Sequence, residues 1–413
     1  MVDPSPPRLS EEARRLRGLV LRHERWRARE TINLLPSENF ASPQVLRYLG
    51  TDLARRYTLP LDQILHGERV DNGYAGTRYA DAIEDLASRT TARLLKGTHA
   101  SVRPLSGHVA AMSVLATLLP RGSRYLAVQP ADGGYDGYAP GFLPAVLGHQ
   151  VLPLPLHGPT HRADPEEVAN ILRRDRPEAM VLGQSFVLFP YPLRPLVEAA
   201  HEVGALVLYD ASHVLGLVMG GVFQAPLEDG VDVVFGSTHK SLFGPQGGLL
   251  ATRREDLFRQ IDDALIWRVL DNTHLNRIAG LAQALLEMER WGSEYAPQVV
   301  RNTQRLARAL HERGFSMVGA EEGFTASHQA FFDAEELRAR TGLGPAGLAR
   351  RLENDGLILD LVGRVGAAEA TRLGMKEPEM ETLADLIQRS ARGEPVIREV
   401  RTMRKRFRVP HYC

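Results

Sequence analysis

A chain of 413 residues is long enough to bury a large core and to divide into two lobes. Acidic and basic side chains balance at 50 each, so net charge draws the protein neither to nucleic acid nor to an anionic membrane, and small molecules are the expected partners. The single cysteine, Cys413, excludes an intrachain disulfide, argues against a cysteine-built metal site and fits a reducing cytoplasm; no apolar run approaches the roughly 18 residues needed to span a bilayer, and no secretory apolar segment opens the chain.

Residues 10–30 carry leucines and valines at helical spacing among many charges, which predicts an amphipathic arm helix of the kind that packs on a partner subunit. In RPLSGHVAAMSVLATLL (103–119), Ser106 and Gly107 precede a good helix former run. The unpaired amides and positive dipole end of such a helix suit a phosphate, although the same Ser-Gly pair also caps helices that bind nothing. From about residue 83, helical stretches alternate with short apolar runs at 125–130, 179–185, 205–210, 231–236 and 248–252. That alternation predicts an α/β lobe with a mostly parallel sheet and an active site at the carboxyl ends of its strands.

Two of those strand ends carry candidate chemistry. In YDASHVLGL (209–217) an apolar strand delivers Asp210, with His213 one turn later. A carboxylate buried there needs a cationic partner, and the ring nitrogen of pyridoxal 5′-phosphate (PLP) is one; taken alone, the residue also reads as a helix cap or a surface group. In FGSTHKSLFGPQGG (235–248) the strand ends in a tight turn that fixes Lys240 beside Ser237, Thr238 and His239. Most lysines prefer solvent and mobility, whereas a Schiff-base lysine must be placed and partly desolvated.

Residues 273–313 form a long helical stretch that joins the lobes. Beyond it, short strands near GFSM and GLILDL alternate with helices around 335–353 and 378–391, consistent with a smaller α+β C-terminal lobe. GRVGAAEATRLG (363–374) places Arg364 on a short strand, where a guanidinium could grip an α-carboxylate bidentately; a surface ion pair is the ordinary alternative. The basic tail after Arg398 reads as a solvated helix.

Together, INLLPSENFASP (32–43), YDASHVLGLVMGGVF (209–223) and STHKSLFGPQGG (237–248) resemble the serine hydroxymethyltransferase family, which are fold-type-I PLP enzymes, from about residue 30 onward. The resemblance implies that Lys240 forms the Schiff base with PLP, that Asp210 pairs with the ring nitrogen, and that His213 and Ser185 lie near the ring oxygen. It also implies that Ser106 and Gly107 hold the phosphate, that His239 is the histidine before the lysine, and that Ser37 and Arg364 bind the substrate carboxylate. Tyr57 matches a tyrosine that reaches the neighbouring subunit's site, so a homodimer with shared active sites is implied. The implied division is an N-terminal arm (1–40), a large PLP-binding domain (41–285) and a small C-terminal domain (286–413).

The departures from the family pattern are informative. Asn72, in NGYAGTRYAD (72–81), stands where the family has an acidic residue, and an amide cannot shuttle a proton; Glu68 or His66, in the insertion 58–71, could supply that function. Tyr135 stands for the histidine that stacks on the ring, and His108 for a small hydroxyl residue. DNTHLNR (271–277) replaces a glycine-rich loop, with Thr273 and His274 as candidate binders. The loop before Arg364, which helps hold folate in the family, shrinks to LILDLVGRVG (357–366). The reading is aldol-type chemistry at Cα of glycine or a β-hydroxy-α-amino acid such as serine or threonine, without folate, with an aldehyde as a second partner. The alternatives are a folate-dependent hydroxymethyltransferase of serine and glycine or of α-methylserine, other Cα chemistry such as transamination, racemisation or condensation, and a PLP-binding protein that does not turn over.

Overall fold

A computed structural model describes residues 10–413; residues 1–9 of the expected arm lie outside the described residues. The arm helix runs Glu11–Arg25, capped by Ser10, and continues in wider turns to Glu30. None of its side chains is buried, so it adds nothing to this chain's core.

The centre is a seven-stranded sheet in the order His99–Ser101, Gly248–Thr252, Val233–Ser237, Leu206–Asp210, Ala179–Leu182, Arg124–Ala127 and Gln150–Pro153. The five strands from Val233–Ser237 to Gln150–Pro153 pair in parallel through helical crossovers. The apolar runs of the inner strands, such as AMVL at 179–182, are buried because helices cover both faces. Gly248–Thr252 runs antiparallel to both neighbours. Only residues 238–247 separate it from the preceding strand, too few for the crossover that a parallel partner requires. The edge strands 99–101 and 150–153 carry no apolar run of their own.

One core buries the sheet against the long helix Leu275–Glu312, and another buries the opposite face under the helix Gly107–Leu118. A further core gathers Ile32 and Leu34 with Leu306, Leu310 and side chains as far as Met403. Ile32–Asn33 pairs in parallel with Leu357–Ile358, and Gln329–Phe331 pairs antiparallel with Arg364–Gly366. The GFSM segment forms no strand; Met317 makes only an isolated bridge to Phe332. Among the described residues no helix is long and apolar enough to cross a membrane.

Candidate active site

The parallel strands end at a cavity of about 210 Å³ lined by Ser106, Gly107, His108, Tyr135, Gln184, Ser185, Asp210, Ser212, His213, Ser237, His239 and Lys240. Lys240 enters it from the turn that reverses the chain between Val233–Ser237 and Gly248–Thr252. Thr238 pins this turn: its amide donates to Gly247 O (3.1 Å), its hydroxyl to Pro245 O (2.6 Å), and its carbonyl accepts from Gly244 N (2.8 Å). A Cβ on Gly244 would stand 2.7 Å from Thr238 O, so the turn needs glycine there. Asn39, from the INLLPSENF segment, donates to Lys240 O (2.8 Å) and lies 2.8 Å from the Tyr295 hydroxyl. The backbone of Lys240 is thus clamped while its amine is buried. Burial pushes the amine's pKa down, Asp210 opposes that shift and Arg364 adds to it, so the free amine becomes accessible for imine formation.

Asp210 closes its strand facing the cavity. Its two oxygens accept from Tyr138 Oη (2.8 Å) and Ser212 N (2.9 Å), which satisfies a carboxylate that a cation can still approach. Desolvation, with Asp210 as the second cause, pushes the Tyr138 phenol far up, so it stays a donor. Ser106 caps the helix Gly107–Leu118 by accepting from Val109 N (3.1 Å), which leaves the first amides of the helix to face the cavity. Tyr135 Oη lies 2.9 Å from His108 Nδ1.

These residues fit PLP on an observation internal to the protein. Ser237 Oγ, His239 Nδ1 and Gln184 Nε2 are buried on the cavity wall and have no hydrogen-bond partner, whereas buried polar atoms are almost always paired. They surround a desolvated lysine, a carboxylate and a helix N-terminus, which are the complements of an aldehyde, a ring cation and a phosphate. Burial, reinforced by Lys240, lowers the His239 pKa to about 4, so it is neutral beside the lysine.

The serine hydroxymethyltransferase family model matches residues 14–341. This chain belongs to the serine hydroxymethyltransferase family. The serine hydroxymethyltransferase of Archaeoglobus fulgidus is 36% identical, covering 93% of this chain and 89% of the relative. That of Methanothermobacter thermautotrophicus is 36% identical over 97% of this chain and 95% of its own length. The crystal structure of L-threonine transaldolase from Pseudomonas fluorescens superposes with a TM-score of 0.86 at 25% identity, covering 97% of this chain and 93% of that one. The chain is therefore a PLP-dependent enzyme of the fold-type-I class that acts at Cα of amino acids.

Arg364, on the strand Arg364–Gly366, and Ser37 do not themselves line the cavity; Arg364 meets it through Ser185, which does. Its Nε donates to Asp360 Oδ2 (2.6 Å) and its Nη1 to Ser185 O (2.6 Å), and the guanidinium lies 4.8 Å from the Phe186 ring centre. Ser37 is half-buried on the segment whose Pro36 packs against Gly366. Tyr57 (56% exposed), Glu68 and Thr273 do not line this chain's own cavity. The Tyr57 ring lies tilted against Tyr74 with centres 5.6 Å apart, and Glu68 is exposed on the hairpin formed by Pro60–Leu65 and Glu68–Asn72. Thr273 is buried, its carbonyl accepting from Arg277 (3.0 Å). Asn72 anchors the hairpin root, donating to Thr58 Oγ1 (2.8 Å) and Asp81 Oδ2 (3.1 Å). The sequence reading missed Tyr138, Gln184, Ser212, Asn39 and Gln329. Asn39, Ser212 and Gln184 lie within the motifs and strand ends read from the sequence, whereas Tyr138 and Gln329 arrive through tertiary contacts alone.

Proposed function

We propose that the protein breaks and makes the Cα–Cβ bond of a β-hydroxy-α-amino acid such as serine or threonine, as an aldolase or transaldolase that does not use folate. In cleavage, the hydroxyl proton leaves to a base, the Cα–Cβ bond breaks, an aldehyde departs, and its electron pair stays at Cα until a proton or a second aldehyde takes it. When bound, PLP supplies the electron sink for that pair. Asp210 would keep the ring nitrogen protonated, Lys240 would form the imine with the cofactor, and the helix start at Ser106–Gly107 with His108 would bind the phosphate. Tyr135, Ser185, His213 and Ser237, which line the same cavity, would contact the ring. Arg364, with Ser37, grips the α-carboxylate and so selects which Cα bond is aligned for cleavage.

The observation that carries the folate-free reading is the short path from Ile358 to Arg364: residues 359–363 alone connect them, and Asp360 in that path folds back onto Arg364. The likeness to a threonine transaldolase supports the aldol-type chemistry of the proposal. In this reading a homodimer completes the site, with Tyr57, Thr273 and the hairpin bearing His66 and Glu68 serving the neighbouring subunit. The exposed Leu16, Leu19 and Val20 of the arm helix and Ile64 of the hairpin favour such burial. Glu68 or His66 then takes the hydroxyl proton, and Glu68→Gln or His66→Asn lowers turnover with PLP binding intact; two fully active variants refute that role. A reducing cytoplasm is the proposed compartment.

The decisive test is aldehyde release from threonine and serine, with and without tetrahydrofolate, followed by mass spectrometry of products after a second aldehyde is added. Folate-independent release supports the proposal. Turnover of serine only with tetrahydrofolate, saturating with its concentration, overturns it in favour of a hydroxymethyltransferase, the activity that the relatives' names favour.

A further inference from the structure

We propose that Gln329 is a positioning residue that holds His213 in the tautomer with its proton on Nε2, so that this imidazole presents a hydrogen-bond donor, and not a base, to the PLP pocket. The proposal rests on PLP occupying the cavity and is independent of which amino acid is cleaved.

His213 is buried on the cavity wall, and its Nδ1 lies 3.0 Å from the Gln329 side-chain nitrogen. An amide NH₂ only donates, so Nδ1 must accept, and a neutral imidazole that accepts at Nδ1 carries its proton on Nε2. The ring is neutral because it is desolvated, and the neighbouring cations Lys240 and Arg364 oppose a further positive charge. Nε2 makes no hydrogen bond among the described residues and is the ring nitrogen left for the cavity.

The second neighbour cannot set the tautomer. His328 stacks on His213 with ring centres 5.7 Å apart at 27°, which fixes the plane of the imidazole. Its own Nε2 lies 3.1 Å from Pro36 O, an acceptor only, so His328 keeps its proton there and its buried Nδ1 has none to give. Gln329 is the sole side chain bonded to His213 Nδ1 among the described residues.

Gln329 is itself held. Its backbone N–H donates to Ser327 Oγ (3.1 Å), which donates to Val187 O (2.6 Å), and Ala326 N donates to Leu188 O (2.8 Å). Its strand places Gln329 opposite Gly366 and Phe331 opposite Arg364. One ribbon therefore delivers both the carboxylate grip and the group that orients His213. The Gln329 oxygen is buried and has no hydrogen-bond partner, so no other donor engages the side-chain amide that faces His213. A reversed amide would turn its oxygen to Nδ1 and require the opposite tautomer, which makes the proposal measurable.

The test is ¹⁵N-histidine NMR of the full chain, without and with PLP and before any amino acid is added, with the His213 signals assigned by their loss in His213→Gln. The expected pattern is a bare Nδ1 and a protonated Nε2, unchanged from about pH 6 to pH 8. In Gln329→Glu, whose carboxylate only accepts, the proton appears on Nδ1, the absorption of bound PLP shifts, and kcat falls about tenfold while the amino-acid KM stays within about twofold. Gln329→Leu removes the bias and yields both tautomers. A protonated Nδ1 in the unmodified protein overturns the proposal without any variant. So does a Gln329→Glu protein whose tautomer and PLP absorption match those of the parent.

Discussion

Gly107→Ala tests the cofactor cradle with one methyl group. A Cβ built on Gly107 stands 2.8 Å from Ser237 N, 2.9 Å from Ser212 Oγ and 3.0 Å from Ser237 Cβ, about 0.6 Å inside the 3.4 Å at which ordinary contact begins. The serine hydroxyl can rotate away, but Ser237 N belongs to the sheet and already donates to Ser212 Oγ (3.0 Å), so the helix start must retreat. Overpacking of this kind costs about 1–3 kcal/mol. Here that cost falls at the proposed phosphate site, so PLP affinity should weaken about 5- to 150-fold while the remote helix body stays intact. Gly141 has nothing within 4 Å of its own Cβ and is a matched control. Titrating the apo forms of Gly107→Ala, Gly141→Ala and the parent with PLP, with circular dichroism to confirm folding, gives the comparison. A folded Gly107→Ala protein that binds PLP as tightly as the parent would remove the helix start from the cofactor site.

Three further outcomes follow from the same geometry. Lys240→Ala should fold and bind PLP only reversibly, with no borohydride-stable adduct by mass spectrometry; a trapped adduct on another lysine would displace Lys240 from its role. Arg364→Ala removes charge-assisted hydrogen bonds worth about 1.5–3 kcal/mol, so amino-acid affinity should fall roughly 10- to 150-fold with PLP affinity nearly unchanged, and equal amino-acid affinity would contradict the carboxylate grip. Burial raises the Glu369 pKa from 4.5 to about 7, partly offset by the Asn33 hydrogen bond. Between those values the folded state holds a proton that the unfolded state has lost, so this group's contribution to stability falls as pH rises through that window. Glu369→Gln should accordingly gain melting temperature over the parent at pH 8 and lose that advantage near pH 5; a pH-independent difference would refute this sign.

What could be read from the sequence was chemistry carried by neighbours along the chain. Lys240 sits beside the hydroxyls and glycines that shape its turn, and Asp210 ends an unmistakably apolar strand, so their placement together at the carboxyl ends of the inner strands followed from local pattern. Tyr138 meets Asp210 across 72 positions and Gln329 meets His213 across 116, and nothing in either local sequence announces those encounters. The composition of the run Gly248–Thr252 does not give its direction, but the short 238–247 connection does, because it leaves no room for a parallel crossover. Asn72 could be seen as an unusual residue for its position, but its work at the hairpin root depends on Thr58 and Asp81 being folded around it.

The clamp on Lys240 sets an order of events during synthesis. Asn39 leaves the ribosome 201 residues before the carbonyl it holds, and its segment is anchored by Ile32–Asn33 pairing with Leu357–Ile358, which emerge later still. The turn bearing the lysine is thus made long before its restraint is complete, and stable capture of the vitamin-derived aldehyde is deferred until most of the polypeptide has been released. A nascent chain halted after the sheet but short of residue 357 should fold its strands and yet hold the coenzyme loosely.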